Sequence, residues 1–146
     1  MSNVKITDNS KAFIAAKDRA VAGALAAIGK EAAGNAMEEL TNQDAVNTGR
    51  LRNSITYATQ QHTEAKNFSW HEGKNGEPAG SGSTAPKGTP EKDTVYIGTN
   101  VEYAKYIEVG TSRSKKGGVH YLRKAATEHG EEYKKIMENI LRKSTD

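Results

Sequence analysis

The sequence predicts an α+β fold: a small antiparallel sheet with a long inserted loop, packed against a long N-terminal helix and a C-terminal helix. Three observations carry this reading. Apolar residues recur at steps of three, four or seven over residues 10–40 and at steps of three or four over 121–143, the spacing of one helix face. Two short stretches, 54–63 and 94–99, have the β-branched, aromatic and alternating character of strands. Between them, residues 71–92 are rich in Gly, Ser and Pro and offer little to bury. At 146 residues the chain fits a single domain, 1–146.

The first helix is expected from about Ser10 to Leu40, with Ile14, Val21, Leu25, Ile28, Ala32, Ala36 and Leu40 on one stripe. Asp8, Asn9 or Ser10 can cap its start. Gly23, Gly29 and Gly34 each weaken a helix by up to about 1 kcal/mol, unless they allow another element to approach closely. Thr48 suits the cap of a short helical turn that leads into the first strand, where Ile55, Tyr57 and Thr59 alternate with Thr56, Ala58 and Gln60.

Phe68 and Trp70 precede the Gly/Ser/Pro segment and read as a strand end packed on the core or as an anchor for a partner. The segment itself reads as a mobile excursion between two strands. After the second strand, Asn100 is placed to cap a short helix from Val101 to Val109, ended by Gly110. A basic loop follows, with Arg113, Lys115 and Lys116 before Gly117-Gly118. The last helix, about Tyr121 to Lys143, carries Leu122, Ala126, His129, Tyr133, Ile136 and Ile140 on one stripe.

Composition narrows the function. Apolar residues make up 35% of the chain, so the core is lean and a partner-completed face is a natural expectation. The net charge of +3 permits contact with nucleic acid or an acidic protein without requiring either. There are no cysteines, which removes disulfides, thiolate metal sites and cysteine nucleophiles together. No apolar run approaches the ~18 residues of a membrane span, and no signal-peptide core opens the chain.

Catalytic and cofactor motifs are absent. The four histidines, His62, His71, His120 and His129, form no metal-binding helical pair; His129 reads as a packed core residue. The Gly-rich segment lacks the Gly-Lys-Ser/Thr end of a phosphate loop, since Gly73-Lys74 is followed by Asn75. Ser81, Ser83 and Ser114 have no neighbouring base, and the Glu38-Glu39 and Glu131-Glu132 pairs read as solvated helix faces. The expectation is a non-enzyme without cofactor or metal. Arg113, Lys115, Lys116, Arg123 and Lys124 form the densest positive cluster, and it fits equally a solvated surface and a contact for DNA phosphates or an acidic neighbour.

Three stretches resemble tailed-bacteriophage neck proteins of the head–tail joining, tail-completion and tail-terminator type. Val46-Asn47-Thr48-Gly49-Arg50-Leu51-Arg52-Asn53-Ser54-Ile55 is similar to that family's V-D-T-G-x-L-R-x-S-I signature. The stretch from Val95 to Thr111, containing Val101-Glu102-Tyr103-Ala104-Lys105-Tyr106-Ile107-Glu108, is similar to V-G-x-x-V-x-Y-A-x-Y-V-E-F-G-T. His120-Tyr121-Leu122-Arg123-Lys124-Ala125 stands where the family has an aromatic-Leu-Arg-Pro-Ala helix start. Asn47 replaces the usual Asp, Lys105 and Lys124 replace prolines, and the loop before Thr94 is longer than usual.

The resemblance implies a structural virion protein, assembled in the host bacterial cytoplasm, that forms a ring in the neck between the portal or connector and the tail tube. Six-fold symmetry is expected, with twelve-fold as the alternative. Its partners would be further copies of itself, a head-closure protein, the tail tube protein and, through non-specific contact, packaged DNA. On this reading Arg50, Arg52, Phe68, Trp70, Tyr103, Tyr106 and Glu108 are candidate interface residues. Arg113, Lys115, Lys116, Arg123 and Lys124 would face the DNA lumen or an acidic partner. The reading from another class is a small basic nucleic-acid-binding module.

Overall fold

A computed structural model describes residues 10–114 and 117–145. Helix α1 spans Ser10–Asn42, and α2 is a single turn, Arg50–Asn53. Strands β1 (Thr56–Ala58), β2 (Lys66–Trp70), β3 (Gly80–Thr84) and β4 (Tyr96–Gly98) follow. Three helices complete the chain: α3 (Ala104–Val109), α4 (Tyr121–Thr127) and α5 (Gly130–Thr145). This is the expected α+β arrangement, with the sheet divided in two. β1 pairs antiparallel with β4, Tyr57 opposite Ile97, while β2 and β3 form a separate antiparallel ribbon with Phe68 opposite Gly82.

The core forms where the α1 stripe meets the first turn, the first strand and α4. Ala33, Ala36, Leu40, Leu51, Ile55, Val101, Tyr121 and Ala125 are all buried in one cluster. Its largest aliphatic members, Leu40, Leu51 and Ile55, each contribute about 1.5–3 kcal/mol of transfer free energy. The alanines let α1 come close to α4 and α5, the contact that the Ala-rich stripe anticipates. The buried Asn35 is paired: it donates to the Tyr133 hydroxyl at 3.0 Å and to Glu132 at 3.2 Å.

One helix glycine does permit close approach. The Tyr57 ring lies over Gly29, and a Cβ there would sit 2.5 Å from Cδ2 of that ring. Gly23 and Gly34 have open space around them, so they weaken the helix with no packing return.

The structure departs from expectation at five places. The first strand is only three residues long because Thr59 turns back, its backbone N–H and hydroxyl both donating to the carbonyl of His62. The Gly/Ser/Pro segment is not irregular throughout: Gly80–Thr84 is the strand β3, an edge strand that glycine can supply because aromatic rings cover it. Asn100 does not cap the short helix; Thr99 accepts the Val101 N–H at 3.1 Å, and Asn100 instead donates to the Ser83 carbonyl.

The terminal helix is broken between Thr127 and Gly130. His129 is therefore not a core residue: it stands at the start of α5, partly exposed, 2.8 Å from the Glu132 carboxylate. That hydrogen bond is the main reason its pKa lies above the ordinary value, with Glu128 and Glu38 adding to the effect. Finally, only the second half of the α1 stripe is covered; Ser10–Arg19 is exposed along its whole length.

Candidate interaction site

The two signature stretches meet at one surface cleft at the far end of α1, and the β2–β3 ribbon forms its third wall. Thr48 accepts the Arg50 N–H at 3.1 Å just ahead of α2, but the N-cap of that turn is Gly49, in the left-handed conformation and without a side-chain cap, and not Thr48 as expected. From that turn the Arg50 guanidinium reaches Glu102 of the second signature with two hydrogen bonds of 3.0 Å, a bidentate pair. The guanidinium carbon also lies 5.2 Å from the Trp70 ring centroid and 5.7 Å from that of Tyr103. A guanidinium set over aromatic rings and a carboxylate at once suits arginine better than lysine.

Arg50 is thus the hub of the site, although its Nε is buried without a hydrogen-bond partner among the described residues. The Glu102 carboxyl is held below the ordinary range first by its own backbone N–H and then by Arg50. Burial raises the Tyr103 phenol above its usual value.

Short polar links fasten the ribbon to the first signature. Asn53 donates to the Ser69 carbonyl at 2.9 Å, Asn47 accepts the Lys74 N–H at 2.9 Å, and His71 donates its N–H to the Thr48 carbonyl at 3.0 Å. Trp70 is oriented by its indole N–H, which donates to the Pro78 carbonyl at 3.2 Å, and by Phe68, with ring centroids 5.7 Å apart. Its ring lies against Gly80, where a Cβ would come within 2.6 Å. The resulting cleft encloses about 450 Å³, with Val46, Leu51, Trp70, Tyr103 and Ile107 among its walls and Glu77, Pro78 and Ala79 along the ribbon side.

Of the expected interface residues, Arg50, Arg52, Trp70 and Tyr103 line this cleft. Arg52 bonds Asn53 and helps order the turn. Phe68 belongs to the ribbon beside the cleft, and Tyr106 stands on the outer face of α3, 57% exposed, as is Val109 one turn on.

Glu108 is different. Its carboxylate accepts the backbone N–H groups of Leu122 at 2.8 Å and Arg123 at 3.1 Å, so it caps α4 within its own subunit.

The basic cluster is only partly present as expected. Arg113 and Arg123 are exposed, but Lys124 is paired with Glu39 at 3.3 Å. Lys115 and Lys116 lie outside the described residues. Sequence reasoning missed Glu102 as the partner of Arg50, and Asn47 and Asn53 as fasteners, because no local spacing links the turn to residue 102, 52 positions from Arg50, or to the ribbon segment, 16 and 27 positions from Asn53 and Asn47. Among the described residues no group of three or more His, Asp or Glu side chains is placed to hold a metal, and no helix is long and apolar enough to cross a membrane.

A family model described as "Bacteriophage HK97-gp10, putative tail-component" matches residues 5–110, which include the first signature stretch, the second as far as Gly110 and the whole of the cleft. No curated protein and no solved structure matches the chain.

Proposed function

The chain belongs to the HK97-gp10-like family of bacteriophage tail components, and from that membership we propose that it is a structural, non-enzymatic virion protein forming a ring in the neck. The ring would join the portal or connector of the DNA-filled head to the tail tube, as a tail terminator or head–tail joining protein with six subunits. The observation that carries this reading is the convergence of both signatures on one cleft: Arg50 from the first is clamped by Glu102 and Tyr103 from the second, with Trp70 across the ribbon. A surface that gathers aromatic rings around an arginine is the composition of an interface centre. Head-to-tail contacts that close by rotation give rings.

The test is the mass of the purified protein in solution by light scattering, alone and with head-connector and tail-tube proteins. A discrete ring-sized species is expected. A monomer that ignores those partners would refute the proposal.

A second reading, a small nucleic-acid-binding module, is favoured by the exposed Arg113 and Arg123. Pairing of Lys124 with Glu39 counts against it by removing one cation from the patch. DNA binding by the monomer that weakens steeply with salt would favour this module over the ring.

A further inference from the structure

We propose that the N-terminal arm of α1 from one subunit seats Phe13 and Ile14 in the Arg50–Trp70–Tyr103 cleft of the next, so that each cleft is completed by a second copy of this chain. The inference rests on the ring reading and specifies its contact.

The arm is an apolar helix face with nothing described over it. The stripe that is buried at Leu25, Ala32, Ala36 and Leu40 continues in register through Val21 to Ile14, yet Phe13 is 64% exposed and Ile14 55%. Large apolar side chains side by side on an exposed helix mark a contact surface. A helix face laid in an apolar groove is a recurrent mode of recognition.

Reach decides whose groove it is. Twenty-seven residues of continuous helix separate Phe13 from Leu40, roughly 40 Å at about 1.5 Å per residue. The cleft begins just beyond that far end, at Ala45 and Val46, with Ala45 hydrogen-bonded to the Leu40 carbonyl. The arm and the cleft therefore lie at opposite ends of one rigid rod, and no arm can fill its own cleft. Between copies the same separation makes a heterologous, head-to-tail contact, the kind that propagates and closes into a ring.

The cleft accepts such an occupant. Its 450 Å³ is lined by Val46, Leu51, Trp70, Tyr103 and Ile107 together with polar groups, and is of the size that takes a few large side chains. Of its two arginines, Arg50 is already neutralised by Glu102 and Arg52 donates to the Asn53 side chain, so an apolar cover leaves neither guanidinium without a partner. Lys11 and Lys17, which flank Phe13 and Ile14 on the arm, meet a rim that carries Glu77.

The absence of cysteine makes the contact directly testable. Phe13→Cys combined with Ala79→Cys is treated with a short bis-maleimide reagent at high protein concentration and resolved on a denaturing gel. The expected result is a ladder of covalent oligomers ending at the ring number, while either single variant stops at dimers. In parallel, Phe13→Asp with Ile14→Asp is expected to lower assembly at least about tenfold with thermal stability unchanged.

Rings on light scattering without a ladder would overturn the arm-in-cleft contact and leave the ring reading standing. Absence of both ladder and rings would remove both. A cross-link confined to a single chain would also overturn the inference, by placing the arm on its own subunit.

Discussion

Replacing Glu108 with Ala removes both acceptors that hold the first turn of α4. The Leu122 N–H, donated at 2.8 Å, is part-buried and would find no ready substitute, whereas the Arg123 N–H at 3.1 Å is exposed and can turn to water. Loss of a helix cap costs about 0.5–2 kcal/mol, and a partly buried orphan donor places this case toward the upper end, about 1–2 kcal/mol. α4 carries the fully buried Tyr121 and Ala125, so fraying of that turn opens the core and not merely the surface. For a domain of this size the loss corresponds to a fall of about 3–6 °C in melting temperature.

Far-UV circular dichroism during heating measures that fall, and Glu108→Gln, which keeps one oxygen acceptor, should recover about half of it. Light scattering on the same samples below the transition measures assembly, which should persist. An unchanged melting temperature together with lost assembly would refute the capping argument and return Glu108 to the interface.

Three further outcomes are expected. Leu40→Ala, at a fully buried position, should cost about 2–5 kcal/mol, read as a lower urea midpoint with an unchanged slope. Gly80→Ala places a methyl within 2.6 Å of the Trp70 ring and should push the chain's single tryptophan toward water, shifting its emission to the red; an unaltered spectrum would contradict the packing. His129 has a pKa raised chiefly by Glu132, so its stabilising contribution is full below the ordinary value of about 6.5 and is lost as pH rises through the raised one. The wild type should therefore lose stability relative to His129→Gln as pH rises above about 6.5, and melting curves that stay parallel as pH is raised would argue against the pairing.

The α1 stripe was legible because period alone identifies an amphipathic helix, and the same holds for β4 with its aromatic and β-branched run. β3 was not legible: Gly80-Ser81-Gly82-Ser83-Thr84 has almost no strand character of its own, and it is a strand because Phe68 and Trp70 lie across it. The break at Glu128-His129 escaped notice because Leu122, His129 and Tyr133 keep helical spacing through it. Coverage is a further thing that periodicity does not encode. Ile14 and Leu40 belong to one stripe, but one is exposed and the other sealed, since only tertiary contacts decide where α4 and α5 stop. In the cleft, residue types pointed to Arg50, Trp70 and Tyr103. Their junction through Glu102 depended on a fold that brings residues fifty apart together.

The packing of α5 on α1 also bears on how the protein is made. Roughly ninety residues separate the end of α1 from the start of α5, so at about 5–20 residues per second the ribosome delivers the second helix several seconds or more after the first. Throughout that interval the Ala-rich stripe has no final partner, and Asn35 has neither Tyr133 nor Glu132 to bond. Few bulky side chains lie along that waiting face: from Ala24 to Leu40 its buried positions are alanine, glycine and asparagine apart from Leu25 and Leu40. The small residues that make the finished core lean also make the nascent helix a poor nucleus for aggregation while it waits.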